Sequence, residues 1–67
     1  MMRAVIIDDE KRARNYLRGI LEDQFKEVEI VGEADGVATG CQLIERESPD
    51  LLFLDVQMQD GTGFDLL

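Results

Sequence analysis

Two short apolar runs, each breaking off into carboxylates, constrain this chain more than anything else in it. Near the start Ile6-Ile7 gives way to Asp8-Asp9-Glu10, and near the end Leu51-Leu52-Phe53-Leu54 gives way to Asp55. Apolar runs without alternation suit strands covered on both faces, as in a parallel sheet. If the two strands lie side by side and parallel, their carboxylates meet at one rim, the edge where open α/β sheets bind their ligands. Carboxylates gathered there repel one another unless a cation sits between them, and a hard dication such as Mg²⁺ suits an oxygen-only site.

The segments between the runs supply the connections. Ala13, Leu17, Ile20, Leu21 and Phe25 recur at helical spacing, with Lys11, Arg12, Arg14, Arg18 and Glu22 falling mostly on the other side, which predicts an amphipathic helix from Lys11 to Gln24. Val28 to Ala34 mixes apolar residues with Glu29, Gly32 and Glu33, the pattern of a strand with one exposed side or edge. Asp35-Gly36 marks a turn, and Val37, Cys41 and Ile44 continue a second helix that must end by Ser48, because Pro49 follows. Gly40 inside that helix costs about 1 kcal/mol relative to alanine, so close packing of helix on sheet is the expected compensation. On the same pattern Cys41 is expected to be buried as a small hydrophobe.

The order is therefore β-α-β-α-β, and each crossover is long enough for the right-handed connection between parallel strands. Thr62-Gly63-Phe64-Asp65 has the form of a capping box, with Thr62 as N-cap, so a third helix is expected to be starting there. With a helix only beginning, residues 1–67 are expected to be the N-terminal part of something longer.

At 67 residues the chain has room for at most one domain, and one this small buries only about 60% of the surface its unfolded form exposes. Apolar residues make up 45% and charged residues 33%, which is the composition of a globular chain. Fifteen acidic residues against seven basic ones give a formal charge of −8, so a phosphate backbone is repelled and direct nucleic-acid binding by this segment is not expected. The chain has no histidine, which removes the commonest general base and leaves carboxylate chemistry as the main option. The opening apolar stretch is too short for a signal peptide or a membrane span, and a cytoplasmic location is expected.

Asp8 and Asp9 have two readings on these grounds: residues that favour the start of the following helix, or members of a metal site. Asp55 is harder to assign to structure alone, because apolar residues precede it and Val56-Gln57-Met58 after it are poor turn formers.

Ala4-Val5-Ile6-Ile7-Asp8-Asp9-Glu10, then Pro49-Asp50-Leu51-Leu52-Phe53-Leu54-Asp55-Val56-Gln57-Met58, then Asp60-Gly61-Thr62-Gly63-Phe64-Asp65 resembles the first half of a response-regulator receiver domain. The resemblance covers the chain in the right order and spacing, and the Phe53 to Met58 phrase is most similar to receivers of the LytTR type, in which a DNA-binding domain follows. It implies a flavodoxin-like, doubly wound parallel sheet, with strand order 2-1-3 in this portion. It also implies that Asp55 is the phosphoacceptor, that Asp9, Asp55 and the main-chain carbonyl of Gln57 hold Mg²⁺, and that Asp8 acts through a metal-bound water. The donor would be a phosphohistidine on a sensor histidine kinase. Gln59 stands where the family usually has proline, which should loosen that loop without touching a ligand. The family also uses a Ser or Thr after the fourth strand and a Lys after the fifth, and neither is within these residues. Lys11 and Lys26 do not replace that lysine, since both read as solvated surface charge.

Two alternatives belong to other classes. A haloacid-dehalogenase-type phosphatase also uses a strand-end Asp with Mg²⁺, but wants Asp-x-Asp after the nucleophile strand, which neither Asp8-Asp9-Glu10 nor Asp55-Val56-Gln57 supplies. A receiver-like interaction scaffold would bind no metal and accept no phosphate. The apolar strand Leu51 to Leu54, short of neighbours on its outer side, is further expected to drive self-association.

Overall fold

A computed structural model describes residues 1–55, 57–58, 61–62 and 66. The apolar opening run forms β1 (Met2–Ile7), and the amphipathic stretch forms α1 (Lys11–Gln24) with the bounds its periodicity predicts. There follow β2 (Val28–Ala34), α2 (Val37–Glu47) and β3 (Leu51–Leu54). Two short strands, β4 (Gln57–Met58) and β5 (Gly61–Thr62), pair antiparallel with each other. The main sheet has the order β2-β1-β3 with both pairings parallel.

Alternation along β1 sends successive side chains to opposite faces of the sheet. Val5 and Ile7 enter one cluster with Ala34 and with Leu43 of α2. Ile6 faces the other way, where it shares an open hollow of about 270 Å³ with Phe53 and with Leu17 of α1. Ala4, Val5, Ile6 and Ile7 are 0–1% exposed, so β1 is the buried axis of the molecule and each helix covers one of its faces.

Gly40 turns its missing side chain toward that axis. A Cβ built there would lie 3.0 Å from the Cδ1 of Ile7, which accounts for the glycine within α2. The buried face of the helix runs through Gly40 and Leu43, with Val37 and Ile44 beside them. Cys41 is therefore exposed and not buried as expected. At about 100° per residue it stands roughly 100° round from its neighbour Gly40, off the flank of the packed face.

The register of β2 slips by one residue: Ala4 pairs with Ile30 but Val5 with Gly32, leaving Val31 extra. Val31 packs into the α2 cluster and Gly32 lies against Leu43. Both thus serve the α2 side, and Glu33, paired with Ile6, comes round to the α1 side. A bulge re-aims the side chains of the residues beyond it.

At the far end the capping-box expectation is corrected at Thr62, which lies in β5 and pairs with Gln57 where a helix start was expected. A tight antiparallel return satisfies backbone groups that a new helix N-terminus would leave unpaired. Asp65, the other half of that box, and Gln59 lie outside the described residues. Leu66 packs against the cluster of Val5, Ile7 and Leu43.

Candidate metal centre

Register decides which side chains meet at the rim. Ile7 pairs with both Ala34 and Leu54, so the next residues of β1 and β3, Asp8 and Asp55, emerge at one level. The ladder continues past the strands: the Asp8 amide donates to the Ala34 carbonyl at 3.0 Å, and the Asp55 amide donates to the Ile7 carbonyl at 2.9 Å. The end of β1 is thereby fixed to β2, and the end of β3 to β1, before any side chain is considered. Side-chain oxygens of Asp8, Asp9 and Asp55 then lie within 4.8 Å of one another, and all three residues are half-buried.

Of the residues named from the sequence, the structure brings these three together. Gln57 begins β4, two positions beyond Asp55. The capping role open to Asp8 and Asp9 takes a local form: Asp8 Oδ1 accepts from the Glu10 amide at 2.9 Å, an Asx turn, while the N-cap of α1 is Glu10 and makes no side-chain cap. Lys11 is exposed, and Lys26 donates to the Glu22 carbonyl at the far end of α1.

The donor set fits a hard cation. It offers carboxylate oxygen only, without nitrogen or sulfur, and its spread is that of one hydrated ion, since opposite ligands of Mg²⁺ stand about 4.2 Å apart and a water-bridged ligand lies further out. The half-buried setting weakens solvent screening, so the mutual repulsion of three carboxylates acts at close range and favours a shared positive charge.

A group of paired charges beside the rim was not legible in the sequence. Arg14 of α1 donates through Nε to Glu33 Oε1 at 3.1 Å and through Nη1 to the Asp8 carbonyl at 2.6 Å. Arg18 donates to the other oxygen, Glu33 Oε2, at 2.6 Å and also pairs with Glu22. The hydrogen bond to Glu33 chiefly, against some desolvation and with help from Glu22, raises the pKa of the Arg18 guanidinium above its usual value. Helical periodicity places Arg14 and Arg18 toward solvent; the bulge in β2 is what brings Glu33 to them as a shared acceptor.

Comparison with known proteins agrees with this geometry. A profile of the response regulator receiver domain matches residues 4–67. The chain is 42% identical over 66 residues to the sensory transduction protein LytT of Bacillus anthracis, covering 98% of this chain and 26% of that protein. Among solved structures it is similar to the REC domain of AraT, a response regulator from Geobacillus stearothermophilus, with a TM-score of 0.87 and 29% identity over 97% of this chain and 50% of that one. The response regulator domain of Thermotoga maritima CheB has the same fold, with a TM-score of 0.90 at 23% identity, over 98% of this chain and 48% of that one. The chain thus spans about a quarter of the length of the curated relative and about half of the solved domains.

Proposed function

The chain belongs to the response regulator receiver domain family, and from that premise we propose that Asp55 accepts a phosphoryl group, with Asp9, Asp55 and the main-chain carbonyl of Gln57 holding Mg²⁺ and Asp8 acting through a bound water. The observation that carries this reading is the gathering of three carboxylates from two adjacent parallel strand ends within 4.8 Å. A bound dication supplies positive charge to the acceptor and to the phosphoryl oxygens at once, which offsets the repulsion between two anions.

The rest falls to the chain itself. A carboxylate oxygen of Asp55 attacks phosphorus; an O–P bond forms, the P–N bond to the donor imidazole breaks, and its electron pair returns to the ring nitrogen. The product is an acyl phosphate, and the donor is a phosphohistidine of a sensor histidine kinase. Anchoring the Asp55 amide to Ile7 limits the positions its side chain samples, which favours in-line approach.

The domain is regulatory. We read residues 1–67 as the first part of a receiver domain, in keeping with the half-length match to solved domains. Its output is transcriptional, through a DNA-binding domain separate from this segment, whose charge of −8 opposes contact with DNA. No described helix is long and apolar enough to cross a membrane. The phosphatase alternative finds no support, since Gln57 stands where that chemistry wants a second aspartate and the matched proteins are response regulators. Self-association through Leu51–Leu54 is part of the proposal, because β3 has a neighbour on one side only among the described residues.

Incubation with Mg²⁺ and a small acyl phosphate, read by intact mass, tests the assignment. The phosphoryl adduct is expected on the complete receiver and not on its Asp55→Asn variant, while residues 1–67 alone, without the hydroxyl and lysine the family uses later, are expected to be impaired in phosphotransfer. An adduct that survives in Asp55→Asn would move the acceptor elsewhere. Calorimetric titration with Mg²⁺ provides a reading that does not depend on phosphotransfer, and Asp55→Asn is expected to weaken it by roughly tenfold or more.

A further inference from the structure

Asp8 is held from two directions. Its amide is tied to Ala34 of β2 at 3.0 Å, and its carbonyl accepts Arg14 Nη1 at 2.6 Å. The peptide unit is planar, so fixing the Asp8 carbonyl also fixes the Asp9 amide in the same plane and limits the direction in which the Asp9 side chain leaves. Arg14 is itself immobilised. Its side chain is 16% exposed, and its Nε is bound to a carboxylate whose other oxygen is occupied by Arg18. A guanidinium presents Nε and Nη1 in a rigid fork, so its hold on Glu33 aims the Nη1 donor at Asp8.

We propose that Arg14 is a positioning residue for the acidic site, holding the Asp8–Asp9 peptide so that the Asp8, Asp9 and Asp55 carboxylates stay gathered against their own repulsion. The proposal rests on reading that site as the cation site. Arg18 is the internal control: it grips the same glutamate, and among the described residues its hydrogen bonds go to Glu33 and Glu22, not to the rim. A role limited to clamping α1 onto β2 would belong to both arginines alike.

The test keeps charge constant, because removing a positive charge near carboxylates would by itself tighten cation binding. Arg14→Lys retains the charge and loses the fork, and Arg18→Lys does the same one turn along. In calorimetric titration of the chain with MgCl₂, Arg14→Lys is expected to weaken binding by roughly tenfold, the scale on which groups behind a ligand act, while Arg18→Lys stays near the native affinity. Equal affinity for Arg14→Lys and the native chain overturns the proposal, as does an equal loss in both variants. Failure of the native chain to bind Mg²⁺ at all overturns the site itself, a distinct result.

Amide hydrogen exchange provides a second measurement should Arg14→Lys be too unstable to titrate at room temperature. At low temperature Arg14→Lys is expected to speed exchange at Asp9 and Glu10 while sparing Val5 and Ile6. Uniform acceleration across β1 would mean a general loss of stability, and the positioning role would be wrong.

Discussion

Gly32 makes the room that Leu43 occupies. A Cβ at this position would stand 2.5 Å from Leu43 Cδ1 and 3.3 Å from its Cγ, and Leu43 is itself buried, so the whole side chain would have to move. Gly32→Ala is therefore expected to destabilise the fold by about 1–3 kcal/mol, the usual cost of overpacking, read as a fall in denaturation midpoint. Cys41 should behave in the opposite way. Being exposed, it is expected to react with a thiol reagent in the native state, and Cys41→Ser should change stability by less than about 0.5 kcal/mol. The sequence suggested burial there because Val37, Cys41 and Ile44 share a helical spacing. It could not reveal that the packed face turns toward Gly40, whose lack of a side chain lets Ile7 in and carries no hydropathy signal.

Among the elements, α2 ends in a detail that offers a handle. Ser48, its C-cap, has φ 46° and ψ 60°, and its amide closes the last turn on the Ile44 carbonyl. Left-handed backbone is where glycine is at ease, so Ser48→Gly is expected to raise stability by about 0.5–1 kcal/mol, measurable in thermal or denaturant unfolding. A drop would mean that the serine side chain contributes more than its backbone costs. The bounds of α1 were legible from hydropathy period, the central place of β1 from the resemblance to receiver domains, and the joining of Asp8, Asp9 and Asp55 from carboxylates that follow two apolar runs, once those runs are neighbours in one parallel sheet. The Arg14–Glu33–Arg18 group was not. Strict alternation along β2 puts Glu33 on the α2 side, and nothing in the residues themselves marks Val31 as extra. Thr62 misled for a related reason: a Thr-x-x-Asp spacing suits a capping box, but local signals cannot exclude a return strand.

For the molecule as a whole, the sheet has two flanks of different character. β3 presents Leu51–Leu54, half-buried and apolar, with β1 as its single neighbour among the described residues. A mass that rises with concentration in sedimentation or light scattering is expected, and a strict monomer across a wide range would remove strand-to-strand association from the proposal. The other flank is the bulged strand. An arriving strand needs a regular row of backbone groups to match, and β2 offers one interrupted at Val31, with Glu29 and Glu33 on either side of it. The same slip that delivers Glu33 to its arginines thus makes that flank a poor template. Among the described residues β3 is then the better edge for strand addition, and two copies of residues 1–67 joined there would each have used it. The assembly would close as a two-fold pair and could not lengthen into a fibre.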